Sequence, residues 1–193
     1  MHHIYHTTAL VLDSIPSKDT NSVLLVYTKE LGLLYVVAHG VRSHESKLRY
    51  ILQVGSRISL DLVKGKEMWQ VTSASRIDSF DILLRSKITR GMWVRTVTII
   101  KKLIPQDESD EMTWNMLLSF FETAYLLEEQ DTFNPYLEIY LLHTLLGHLG
   151  YVTVTLNFIP SIEHIKETIT QNSFPKKTYV QAINTALRNT HLV

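Results

Sequence analysis

The chain has 193 residues, 45% of them hydrophobic and 20% charged, and its 19 Lys/Arg balance its 19 Asp/Glu. This composition excludes wholesale disorder and fibrous repeats, and it allows either one domain with a sizeable core or two small ones, since domains commonly hold about 100 to 150 residues. Cysteine is absent, so disulfides, thiolate zinc sites and cysteine nucleophiles are excluded together, leaving histidine and carboxylates as the only ligands for a transition metal.

The opening Met1-His2-His3-Ile4-Tyr5-His6 has no basic flank leading into an apolar core, and no apolar run approaches the roughly 18 residues of a membrane span. The expectation is a cytoplasmic protein with no membrane partner. The first eighty residues then form short β-branched and aromatic runs separated by polar or glycine-containing turns, the pattern of a small all-β unit. Five strands are predicted, at Ile4 to Leu12, Ser22 to Thr28, Leu33 to Ala38, Ile58 to Val63 and Met68 to Arg76, with turns at Pro16 to Asp19, Lys29 to Gly32 and Lys64 to Lys66. In the fourth, Ile58, Leu60 and Leu62 alternate with Ser59 and Asp61, so one face is apolar and the other wet. A long connection, His39 to Arg57, separates strands three and four. That arrangement fits a small Greek-key barrel of the OB type, whose strand face and loops commonly hold oligonucleotides.

Past Phe80 the apolar period changes from two to about 3.6, which sets a boundary near Asp78 to Asp81. A helix over Ile82 to Leu103 is expected first. Next comes one opening near Ser109-Asp110-Glu111, with Trp114, Leu117, Leu118, Phe121 and Tyr125 on one stripe and acids near its start, as the helix dipole favours. Asn134-Pro135 begins an apolar helix stopping at Gly147 or Gly150, followed by helices at Ser161 to Thr170 and from Pro175 to about Arg188. The fold class is therefore α+β, an N-terminal five-stranded OB-type β-barrel over residues 1–79 followed by an all-α helical domain over 80–193.

Charge is segregated along this plan. Met1 to Phe80 holds nine Lys/Arg against seven acids, Asp81 to Pro105 six against one, Gln106 to Glu138 nine acids and no base, and Ile139 to Val193 four bases against two acids. A neutral chain can thus present a positive face, because surface fields are set locally and screened within about 10 Å. In the long loop and the hairpin beyond it, Arg42, Lys47, Arg49, Lys64 and Lys66 interleave with Tyr35, Tyr50 and Trp69. Phosphates need flexible cations and unstacked bases need flat rings, so the set suits a single-stranded nucleic acid. The competing reading is an ordinary solvated loop with Trp69 packed in the barrel core. A second cationic group, Arg85, Lys87 and Arg90 followed by Arg95, Lys101 and Lys102, lies on the first long helix. It could extend a DNA path or hold a partner's acidic tail, but solvation or internal pairing with the acid-rich Asp107 to Asp131 stretch is preferred.

No catalytic or cofactor motif appears. His143 and His148 are five apart, off one helical face, and no His-Glu-x-x-His, phosphate-binding glycine loop or Gly-x-Ser-x-Gly elbow occurs. Adjacent acids such as Asp110-Glu111 and Glu128-Glu129 point to different sides of a helix and read as solubilising surface. No metal, no cofactor and no enzymatic activity are expected.

The opening Thr8-Ala9-Leu10-Val11-Leu12, the Asp19 to Leu25 stretch, Thr28 to Leu34, Val37-Ala38-His39-Gly40-Val41-Arg42, Ser46-Lys47-Leu48-Arg49, Leu52-Gln53 and Gly65 to Trp69 resemble, in order and spacing, the amino-terminal half of the bacterial recombination mediator RecO. The Leu146-Gly147-His148-Leu149-Gly150-Tyr151 helix ending is also similar to that family. The resemblance implies an OB barrel plus a helical domain, binding of single- and double-stranded DNA, ATP-independent annealing, and recombinase loading with RecR in the nucleoid. It also implies an interaction with the acidic tail of single-strand-binding protein, and it places DNA contact on Arg42, Lys47, Arg49, Lys64 and Lys66, with Gly40 and Gly65 forming turns. Many relatives carry a four-cysteine zinc element after the Gly-Tyr position, whereas Val152 to Phe174 here contains no cysteine, and the chain is short for the family. The alternative is a protein-interaction adapter on an OB barrel that does not bind DNA.

Overall fold

A computed structural model describes residues 3–18, 20–153, 161–170 and 175–189. Its five strands are β1 (Ile4–Pro16), β2 (Ser22–Thr28), β3 (Gly32–Ala38), β4 (Ser56–Lys64) and β5 (Trp69–Ser79). They close into a barrel in the order β1-β2-β3-β5-β4. The order follows from β1, which runs four residues further than the apolar alternation predicts and serves two neighbours. Its first half pairs with β4, from Ile4 opposite Val63 to Leu10 opposite Arg57, and its second half pairs with β2, ending with Pro16 opposite Ser22. A register shift between Val11 and Asp13 sharpens the twist so that one strand can turn from one partner to the other. Parallel pairing of β3 with β5, Val36 to Trp69 and Val37 to Gln70, seals the barrel. This is the OB topology expected from the sequence.

The alternation in β4 does its predicted work: Ile58, Leu60 and Leu62 are fully buried in the barrel core with Ala9, Val11, Leu24, Val26, Leu34 and Val36, and Ser59 is exposed. In β2, by contrast, Leu24 through Thr28 are all buried, so both faces of that strand are covered. The cover over Tyr27 comes from a segment that the period change had assigned to the helices. Within one compact unit, Met1–Leu84 is joined by Ile104–Trp114. Trp114 stacks on Tyr27 with ring centroids 6.5 Å apart, the Asp107 N–H donates to the Leu33 carbonyl at 3.1 Å, and Trp69 Nε1 donates to Asp107 Oδ1 at 2.8 Å. Gly32, at φ +73°, allows the approach, because a Cβ there would lie 1.9 Å from the Glu108 carbonyl oxygen. Burial, followed by the nearby Asp110 carboxylate, pushes the Tyr27 hydroxyl up to about 12. The Asp78–Asp81 boundary read from periodicity is thus not where the compact units divide: the chain leaves the barrel unit after Leu84 and returns to it at Ile104.

The second unit holds Arg85–Leu103 and Asn115–Val193. The helix expected over Ile82 to Leu103 is split into a 3-10 turn at Asp81–Leu84 and α2 at Lys87–Leu103. The break falls at Ser86, whose Oγ accepts the Thr89 N–H at 3.2 Å and so starts a new helix with a side-chain cap. The other helices lie where the sequence places them: α3 (Glu111–Glu129), α4 (Tyr136–His148), α5 (Ile162–Thr170) and α6 (Lys176–Asn189), the short α1 (Leu48–Ile51) belonging to the barrel loop. Asp110 Oδ1 caps α3 through the Met112 N–H at 3.0 Å, and Asn134 Oδ1 accepts the Tyr136 N–H at 2.9 Å at the head of α4. Gly150, at φ +81°, ends α4 with the reversal that only glycine makes without strain.

Helix α4 is buried on most sides, as its leucines imply, and packs Leu142 and Leu146 against Ile183 and Ala186 of α6 and Ile99 of α2. His143 lies 3% exposed, stacked on Tyr179 with centroids 4.0 Å apart, and burial lowers its pKa. Among the described residues, no helix is long and apolar enough to cross a membrane. Asp19 and most of the cysteine-free stretch after Thr153 fall outside the described residues.

Candidate nucleic-acid interface

The connection from β3 to β4 is built on an amphipathic plan. Val41 and Leu52 are buried in the barrel core and Leu48 and Ile51 pack against it, which obliges the intervening Lys47, Arg49 and Tyr50 to face water. The loop is also sewn to the β1–β2 connection. The Gly40 N–H donates to Asn21 Oδ1 at 2.9 Å and the Arg42 N–H to the Thr20 carbonyl at 2.8 Å, with Gly40 at φ +63° making the turn. Loop shape here is therefore set by apolar plugs and backbone bonds, and the cations ride on it.

Between these two connections lies a cavity of about 500 Å³. Buried Leu24, Val41 and Leu52 line it together with exposed Arg42, His44 and Arg49. Arg42 Nη1 is 3.4 Å from the Ser17 carbonyl oxygen, and Arg49 Nη1 donates to His44 Nδ1 at 3.2 Å. A guanidinium has donors only and keeps its charge, so this contact makes Nδ1 the lone-pair nitrogen and leaves Nε2–H of a neutral His44 as a further donor.

The β4–β5 hairpin carries the remaining predicted cations. Lys64 and Lys66 are exposed, and the Lys64 ammonium lies 5.2 Å from the centroid of the Trp69 ring. Register separates this hairpin from the loop along β3: Trp69 pairs with Val36 in the parallel sense, so the hairpin before it lies toward the start of β3, whereas Ala38, opposite Ser22, leads into the loop. Among the described residues, Lys47, Arg49, Lys64 and Lys66 have no carboxylate partner, while Arg57 is paired with Asp78 and His6 with Asp61.

The three aromatics diverge. Tyr50 is 63% exposed beside the loop cations. Tyr35 is half-buried on β3, on the face opposite to core residues Leu34 and Val36. Trp69 is a correction. It is 8% exposed in the core cluster, with Tyr5 edge-on at 5.0 Å and its Nε1–H bonded to Asp107, so it supports Lys64 and offers no open face to a base.

The second cationic group lies in the other compact unit. Arg85, Lys87 and Arg90 are exposed and belong to the helical unit. Arg95 grips Glu138 with two bonds of 2.6 and 2.7 Å, which raise its pKa, so its internal partner lies on α4 and not in the Asp107 to Asp131 stretch. His44, with Ser14, Ser22 and Gln53, also lines the cavity and was not singled out from sequence; only closure of the barrel brings residues so far apart in the chain together. Among the described residues, no three His, Asp or Glu gather closely enough to hold a metal ion.

The strand order and the exposed loops at the end of β3 define an OB-fold domain, here followed by a helical unit. Residues 1–80 match the family described as recombination protein O N terminal. The chain is 28% identical over 191 residues to the DNA repair protein RecO of Enterobacter sp. (strain 638), covering 95% of this chain and 77% of that protein. It is 26% identical over 115 residues to the DNA repair protein RecO of Pelotomaculum thermopropionicum, covering 60% and 45%. Over 80 residues it is 36% identical to that of Heliobacterium modesticaldum, covering 42% and 29%. The matches to several of these relatives span about half of their length. The first 80 residues thus match the RecO amino-terminal family, and the chain is similar along most of its length to a DNA repair protein named RecO.

Proposed function

We propose that this protein is a non-catalytic mediator of DNA repair and recombination that binds single- and double-stranded DNA, promotes ATP-independent annealing and helps a RecR-like partner load recombinase. The observation that supports this reading is that, among the described residues, Lys47 and Arg49 of the loop and Lys64 and Lys66 of the hairpin are exposed and have no carboxylate partner. Such an arrangement neutralises a polyanion by counterion release and needs no bound nucleotide or metal. The RecO relatives, called DNA repair proteins, support the same reading. An interaction with the acidic tail of single-strand-binding protein belongs to the proposal through exposed cations such as Arg85, Lys87 and Arg90, and a cytoplasmic, nucleoid-associated location follows from the role.

Fluorescence anisotropy of labelled oligonucleotides at two salt concentrations tests it. With about five phosphates contacted on a single strand, affinity falls about a hundredfold for a fourfold rise in salt. Salt-insensitive binding would reject the proposal. No retained oligonucleotide at low salt, beside a stable complex with RecR, would favour the protein-interaction adapter instead.

A further inference from the structure

The cavity at the barrel end is more elaborate than contact with a phosphate chain requires. Phosphates alone are served by exposed cations, yet here Arg42, His44 and Arg49 stand beside buried Leu24, Val41 and Leu52, with Ser14, Ser22 and Gln53 completing the lining. Its volume of about 500 Å³ lies within the range of roughly 300 to 1,000 Å³ that holds small-molecule ligands. The chemistry is divided as a nucleotide is divided. Guanidinium groups and His44 Nε2–H are donors suited to phosphate oxygens, apolar side chains suit a desolvated base, and hydroxyls with an amide both donate and accept, as base edges do. The Arg49 to His44 bond of 3.2 Å orients both donors, which lowers the entropy lost on binding.

We propose that this cavity seats one unstacked nucleotide of a bound single strand, with its phosphate on Arg42, His44 and Arg49 and its base against Leu24, Val41 and Leu52. The inference rests on the DNA-binding reading and refines it: the surface takes one base out of the strand and does not merely track the backbone.

The test is an NMR titration of the full chain, following the His44 ring and Arg49 Nε resonances, with thymidine 5′-monophosphate, thymidine or inorganic phosphate. The monophosphate is expected to shift both resonances and to bind about tenfold more tightly than either fragment. Arg49→Ala and Gln53→Glu, both at exposed positions, should each weaken it about tenfold, the first by losing a charged donor and the second by facing the phosphate with a carboxylate. Lys177→Ala, at an exposed position of α6, should leave it unchanged. Equal affinity for inorganic phosphate would reduce the cavity to an anion site and overturn the assignment, as would unshifted His44 resonances at saturation. Oligonucleotide anisotropy is measured alongside. Oligonucleotide bound with a silent cavity defeats this inference alone. Monophosphate bound in the cavity of a protein that retains no oligonucleotide defeats the DNA-binding reading, and with it the claim that the nucleotide is part of a strand.

Discussion

The two connections that dress the barrel use opposite means. The His39 to Gly55 loop plugs the core with Val41, Leu48, Ile51 and Leu52 and leaves its cations in water around a cavity. The Ile104–Trp114 segment covers β2 and β3, spends its backbone and Asp107 on Leu33 and Trp69, and lays Trp114 on Tyr27. The difference teaches that residue type alone does not assign a role. A tryptophan among cations became structural because a carboxylate met its N–H, while a tyrosine a few residues from the same cations stayed exposed.

That contrast is open to a double dissociation, in which loop variants change binding and cover variants change stability. The largest effect is expected from replacing Arg42, Lys47 and Arg49 together by alanine, which should lower single-strand affinity about a hundredfold at 0.1 M salt if each meets a phosphate. The thermal midpoint should hardly move, and Arg85, Lys87 and Arg90 replaced together should change affinity less than about threefold. An equal loss from both triples, read by anisotropy, would erase the distinction between the two cationic groups.

Gly32→Ala attacks the cover. Its Cβ would collide with the Glu108 carbonyl at a positive φ, and a loss of about 2 kcal/mol or more is expected in urea unfolding, with DNA affinity of the folded protein unchanged. Wild-type stability in that variant would show that the segment is not packed against β3 in solution. The aromatic pair sharpens the point at smaller scale. Tyr50→Ala should weaken single-strand binding about tenfold through a lost stacking surface. Trp69→Phe should leave affinity alone and lower stability by about 1 kcal/mol, since it removes a buried donor's bond to Asp107; the reverse pattern would restore Trp69 as the base platform.

The smallest effect lies in the helical unit. Burial depresses the His143 pKa below its ordinary 6.5, so between that value and the folded one the unfolded chain binds more protons. Stability from this group is therefore present above about pH 6.5 and is lost as pH falls toward the folded pKa. His143→Phe should flatten that part of a stability-versus-pH curve, and an unchanged slope would show that the imidazole is not held in its neutral form.

Much of this was legible in the chain. Alternation in Ile58 to Leu62 announced a half-buried strand because side chains on a strand alternate by geometry, and the leucines around α4 announced a helix enclosed by others. Caps at Asp110 and Asn134 were readable because they act within three residues. The Ser86 break was missed, as a serine in a helical pattern looks like an ordinary surface residue until its hydroxyl is seen on the Thr89 N–H.

The sequence by itself thus determined the local elements, the OB class of the first half and the loops in which cations collect, since all depend on side-chain periods and near neighbours. Only the tertiary structure decided that residues 104–114 join the barrel unit, that Trp69 is buried, that Arg95 belongs to Glu138, and that Ser14, Leu24, Arg42 and Arg49 line one cavity. These bring together residues as much as 87 positions apart. Their partners are selected by barrel closure and competition for buried hydrogen bonds, neither of which leaves a periodic trace in the chain.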